Sequence, residues 1–153
     1  MTRILSFLVI ALFALPVTAQ EAEAPSPDSP QAEALLDEGP MTYEKLGRII
    51  FALDPEAQPQ GPGFVLTIAE VTVLVVVDPN SDRMRAMVPV AEVSGLTPND
   101  LYRMMQANFD TALDARYAIA NDTLWSTFIH PLSPLQKNQL ISGLGQVVNA
   151  AKT

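Results

Sequence analysis

Residues Phe64–Asp78 read FVLTIAEVTVLVVVD, a run dominated by β-branched side chains. Such residues suit the pleated, half-buried surface of a sheet and lose rotamer freedom in a helix. The run is long for one strand, and Ala69-Glu70 is its weak point, so it divides into Phe64–Ile68 and Val71–Val77. The second half is almost continuous in Val, the pattern of a central buried strand. Asp78-Pro79-Asn80-Ser81-Asp82 is turn chemistry. Arg83–Val90 then alternates, with Met84, Ala86, Val88 and Val90 on one face and Arg83, Arg85, Met87 and Pro89 on the other. Pro89 has no N–H to give to a ladder, which places the strand at a sheet edge or Pro89 at the strand's end.

A helix precedes these strands and two more elements of each kind follow. Thr42 is an N-cap, Met41 and Leu46 have the spacing of a hydrophobic staple, and Leu46, Ile49, Ile50 and Leu53 recur at helical period until Asp54-Pro55. Residues 55–63, rich in Pro, Gln and Gly, read as a loop. Downstream, Thr97-Pro98-Asn99-Asp100 starts a second helix with Pro at its first position, and Leu101, Met104, Met105 and Phe109 form its apolar stripe. Arg116–Ala120 and Leu124–Ile129 read as strands joined by Asn121-Asp122-Thr123, with His130-Pro131 closing the second. Ser133-Pro134-Leu135-Gln136 has the form of a capping box. It opens a last helix that buries Leu140, Ile141, Leu144, Val147, Val148 and Ala151 despite Gly143 and Gly145. The order α-β-β-β-α-β-β-α, without regular βαβ alternation, is α+β: an antiparallel sheet with helices packed on it.

Ahead of this domain, residues 41–153, lie two other segments. Residues 1–19 carry Arg3, an apolar run from Ile4 to Leu15, a breaking Pro16, and small residues before a cleavage point at Ala19–Gln20, the pattern of a secretory signal peptide. The run is too short and too soon broken for a membrane span, which needs about 20 apolar residues. Cleavage there leaves no span and implies a bacterial periplasmic or secreted protein. Residues 20–40 are rich in Pro, Glu, Ala and Ser, with six acids and no base, and read as a disordered acidic linker.

The whole chain carries nine basic and 17 acidic side chains, a net charge of −8. Nucleic-acid binding needs a basic footprint, and none exists. The absence of cysteine removes disulfides, thiolate catalysis and cysteine zinc sites together. Asp78-x-Asn80-x-Asp82 opens like a calcium loop, but Arg83 stands where Gly is needed and Pro89 where the bidentate Glu belongs, so it reads as a turn. His130, the one histidine, lies at a strand end without a nucleophile or an orienting carboxylate in the sequence pattern. No catalytic, metal-binding or cofactor-binding signature is found, and an enzyme resting on acids such as Asp110, Asp114 or Asp122 lacks motif-grade spacing. Met84, Met87, Met104 and Met105 are candidates for partner contact, because methionine adapts to irregular apolar surfaces. Trp125 is a fifth. If Leu124 and Phe128 face the core, strand alternation turns Trp125 outward.

The element order, together with Asn108-Phe109-Asp110, Arg116-Tyr117-Ala118, Leu124-Trp125, Pro131-Leu132, Leu135 and Leu144, is similar to the YbjN-like proteins. These share the fold of type III secretion chaperones of the CesT kind. The resemblance covers residues 41–151 and implies a dimer-prone binding domain with no catalytic residues to carry over. The signal peptide departs from cytoplasmic chaperones and argues against a type III effector as client. The expectation is an exported, non-enzymatic domain that binds a protein partner, with a homodimer as one possibility. The alternative is a periplasmic carrier of a small ligand or lipid, which needs an apolar cavity between sheet and helices.

Overall fold

A computed structural model describes residues 39–153. The Val-rich run divides where expected, into β2 (Gly63–Ile68) and β3 (Val71–Asp78). The joint is a two-residue loop in which Ala69 (φ 48°) and Glu70 (φ 67°) both take the left-handed conformation of a type I′ turn. Lys152 Nζ donates to Ala69 O at 2.8 Å, fixing this loop to the chain's C-terminal helix. The 78–82 segment is the expected turn: Asp78 Oδ1 accepts from the N–H groups of Asn80 and Ser81, both at 3.1 Å.

The remaining elements are α1 (Tyr43–Leu53), β1 (Gln58–Gln60), β4 (Arg83–Glu92), α2 (Pro98–Asp110), β5 (Arg116–Ala120), β6 (Thr123–Pro131) and α3 (Lys137–Lys152), with a 3-10 turn at Val93–Gly95. The strands form one antiparallel sheet in the order β1-β2-β3-β4-β6-β5. The architecture is therefore the α+β one that the sequence pattern implies.

Four local expectations are corrected. The 55–63 segment is not all loop: Gln58–Gln60 pairs with β2 as a short, exposed edge strand, where Pro59 is tolerated. β4 is interior, not an edge, yet Pro89 costs little. It lies beyond the last β3 pair, Met87↔Leu74, and at a bulge in the β6 ladder between Pro89 and Ala91. The capping box at Ser133 does not form. Leu132 and Leu135 are both buried in a tight turn, Ser133 donates from N and Oγ to the Asp82 carboxylate (2.7 and 2.9 Å), and α3 starts later with Gln136 as N-cap. Ile141 and Leu53 are more than a third exposed, because each lies at the margin of its helix's buried stripe.

The core lies on one face of the sheet. Phe64, Leu66, Val73, Val75, Val77, Met84, Ala86 and Phe128 meet Leu46 and Ile50 of α1 and Leu140, Leu144, Val147 and Val148 of α3. Two glycines set the close approach. A Cβ on Gly47 would meet the Phe64 ring at 2.8 Å, and one on Gly143 would meet the Phe128 ring at 2.6 Å. The N-caps at Thr42 and Thr97 form as read from sequence. Thr42 Oγ1 accepts from Lys45 N at 3.2 Å, and Thr97 and Asp100 bond each other reciprocally.

Candidate protein-binding surface

The second helix is built differently from the other two. Both its ends are held. At the start, Asp100 Oδ2 accepts from Thr97 N (2.9 Å) and Thr97 Oγ (2.7 Å), and these bonds hold the Asp100 carboxyl below the ordinary carboxylate range. Near the end, Asn108 acts as a surrogate strand for β5. Its Oδ1 accepts from Tyr117 N at 2.6 Å and its Nδ2 donates to Tyr117 O at 3.2 Å. One side chain thus occupies the outward backbone groups of an edge strand that would otherwise be free to pair.

Yet α2 contributes no buried residue. Its inner side, with Leu101, Met104 and Ala107, is only half-buried. Its outer side presents Tyr102 (63% exposed), Met105 (54%) and Phe109 (93%) at i, i+3 and i+7, followed by Leu113 (72%) just past the helix end. This is one continuous apolar stripe at helical period, facing away from the domain.

Two clefts flank the helix. One of about 420 Å³ is lined by Leu96, Arg103, Met104 and Tyr117, among others. The other, about 300 Å³, lies between the α2 end and α3 and includes Ala112, Leu113, Tyr117 and Ala150. Tyr117 is common to both. Its hydroxyl donates to Ala150 O at 2.6 Å, and burial raises it above the usual phenol value. The 112–115 loop between α2 and β5 is held by Gln146 of α3, whose Oε1 accepts from the N–H groups of Asp114 and Ala115 (2.8 and 3.1 Å).

A second exposed surface is the sheet face turned away from α1 and α3. Register places Leu74, Val76, Met87, Trp125 and Ile129 on it, with Arg85 and Arg116 among them. Trp125 is only half-exposed, and its indole N–H donates to Ala120 O at 3.2 Å. Neighbouring Thr127 is buried on this face with its hydroxyl unpartnered.

The candidate contact residues therefore do not form one site. Met84 is 1% exposed and belongs to the core, where its strand alternation places it with Ala86 and Val88. Met87 and Trp125 lie on the outer sheet face, while Met104 and Met105 lie on α2, turned inward and outward respectively. Phe109, read from sequence as part of the helix's packed stripe, is the most exposed large apolar side chain described. The sequence signal that could have found this surface is the doubled stripe of α2: Leu101, Met104 and Asn108 lie on one side, Tyr102, Met105 and Phe109 on the other. His130 is half-buried with Nδ1 2.7 Å from Pro131 O. Ala19 and Gln20 lie outside the described residues. Among the described residues no group of three or more His, Asp or Glu could hold a metal ion, and no helix is long and apolar enough to cross a membrane.

No family model matches the chain, and no curated protein sequence matches it. Solved structures do. A chain of the ExsC–ExsE complex superposes with a TM-score of 0.58, covering 73% of this chain and 92% of that one at 13% identity. A chain of the complex between the Yersinia pestis type III secretion chaperone SycH and a stable fragment of YscM2 superposes with a TM-score of 0.56, covering 72% of this chain and 98% of that one at 21% identity. At such identities the likeness is one of fold, and the domain has a type III secretion chaperone-like fold.

Proposed function

We propose that this chain is an exported, non-enzymatic, chaperone-like protein-binding domain of the YbjN-like kind, and that it pairs as a homodimer through α2. The observation that carries the reading is the Tyr102–Met105–Phe109–Leu113 stripe on a helix that buries nothing of its own. The largest apolar patch on a soluble domain is commonly a few hundred Å² and is often functional. From the exposed fractions, the four side chains present roughly 500 Å² per molecule. An isologous pairing about a two-fold axis would bury on the order of 1,000 Å² in total, the threshold of a specific interface. The occupant proposed for this face is therefore a second copy of the chain, which leaves the outer sheet face around Trp125 and Met87 for a client protein. Fold likeness to chains crystallised with protein partners supports the client-binding part. The pattern of residues 1–20 supports export, with mature protein beginning at Gln20.

The test is oligomeric state by size-exclusion chromatography with light scattering. A dimer is expected for the wild type, and a monomer of unchanged fold for Phe109→Glu. A wild type that stays monomeric at high concentration would overturn the dimer. For export, fractionation with N-terminal sequencing should find protein in the envelope starting at Gln20, and an intact Met1 terminus in the cytoplasm would refute it.

A further inference from the structure

At the end of the sheet away from the β5–β6 turn lies a third cleft, of about 540 Å³. It exists because β5 is shorter than β6. The last β5–β6 pair is Arg116↔Thr127, while β6 runs on to Pro131, so the β6 edge from Phe128 onward lacks a neighbour on that side. The first turns of α3 form the opposite wall. Its volume falls within the range of small-molecule sites.

The wall carries several hydrogen-bond donors. Asn138 Oδ1 already accepts from Gln139 N (2.8 Å), Gln139 Oε1 from Gln136 N (2.9 Å), and Ser142 Oγ from Gln146 Nε2 (3.1 Å). Each of these oxygens keeps a second lone pair, but the amide NH₂ groups of Asn138 and Gln139 and the Ser142 hydroxyl hydrogen donate to no other group among the described residues and so are available to the cleft. Arg116 adds a guanidinium. It hydrogen-bonds the carbonyls of Leu113 and Ala115 and has no carboxylate partner among the described residues. Asp114 is the one acid of the lining, and Gln146 Nε2 lies 3.4 Å from its Oδ2. Phe128 and Ile129 are the apolar members of the lining, Phe128 almost wholly buried and Ile129 exposed on the outer side of the strand. Phe128 is held beneath α3 at Gly143 and stacks on His130 with centroids 5.9 Å apart.

A cleft that offers a guanidinium and several neutral donors beside an exposed apolar side chain suits an anion with an apolar body. We propose that it binds a small organic carboxylate, with the carboxylate on Arg116, Asn138 and Ser142 and the apolar body on Phe128 and Ile129. The site shares Arg116 and Ile129 with the outer sheet face, but it does not rest on the protein-binding reading.

The experiment is a titration of the full chain with sodium benzoate, followed by amide NMR shifts. Benzamide is the neutral control, and sodium phosphate the anion control at matched ionic strength. Benzoate should produce saturable shifts at Ile129, Asn138 and Ser142, and benzamide should not. Arg116→Met should weaken binding about tenfold or more, the loss expected for a charge-assisted pair. Because Arg116 also braces the 113–115 loop, Asn138→Ala on the exposed helix surface serves as an independent variant and should weaken binding several-fold. Asp114→Asn removes the one opposing charge and should tighten it. The proposal is overturned by absence of saturable shifts, by equal binding of benzamide, by phosphate binding as well as benzoate at the same residues, or by indifference of binding to both Arg116→Met and Asn138→Ala.

Discussion

Gly143 and Gly145 lie two residues apart in α3, and alanine at the two positions should change stability in opposite directions. On helix propensity alone, each replacement stabilises an interior helical site by about 1 kcal/mol. At Gly145 nothing lies within 4 Å of the added methyl, so that gain should appear almost undiminished. At Gly143 the methyl would stand 2.6 Å from two carbons of the Phe128 ring, against about 3.5–4.0 Å for an ordinary carbon contact. The ring is hemmed in by α3 and by its stack on His130, with open space only toward the cleft beside Arg116. Either the ring turns off its rotamer toward that cleft or helix and strand separate by about 1 Å, an overpacking that costs roughly 1–3 kcal/mol. Because propensity is common to both sites, the difference between the two variants isolates the steric cost and should be about 2 kcal/mol. Urea unfolding followed by far-ultraviolet circular dichroism would measure it, provided the slopes agree. The reasoning fails if Gly143→Ala is as stable as Gly145→Ala. A second check is a double-mutant cycle with Phe128→Leu, which should relieve the clash and show a favourable coupling of at least about 0.5 kcal/mol.

Three further outcomes follow from the hydrogen bonding. Asn108→Ala should cost roughly 1–3 kcal/mol, because it releases both backbone groups of Tyr117, and hydrogen exchange should quicken selectively in β5. Thr127→Val should be neutral or stabilising by thermal melt, since the hydroxyl it removes is buried and unpartnered. Bonds from Ser133 N and Oγ, and then the charge of Arg83, hold the Asp82 carboxyl below its ordinary value, as Thr97 does for Asp100. A carboxyl depressed in the folded state contributes stability above its unfolded value and loses it as pH falls through the folded one. The melting temperature should therefore drop below about pH 4, and Asp82→Ala should lower it at neutral pH and flatten the acid slope.

Much of the fold is legible in the chain because local chemistry and tertiary structure agree there. The β-branched run at Phe64–Asp78, the Asx turn at Asp78 and the caps at Thr42 and Thr97 each rest on side-chain properties that act within a few residues. The misreadings have a common cause. Ser133 has the local form of an N-cap, but Asp82, 51 residues away, takes its N–H and hydroxyl. Pro89 is admissible in an interior strand only because β3 stops pairing before it reaches that position.

Composition and periodicity by themselves determined the α+β class, the order of the main elements and the absence of a basic nucleic-acid footprint, because these depend on residue type and spacing alone. The tertiary structure decided which apolar residues became core and which became surface. Met84 and Phe109 are equally good stripe residues in sequence, but Met84 faces two helices across the sheet while Phe109 faces none. It also decided the cleft beside Arg116, which arises from a difference in length between two paired strands. Periodicity reports that a residue has an apolar side to hide. Only packing decides whether the domain, a second molecule or a ligand hides it.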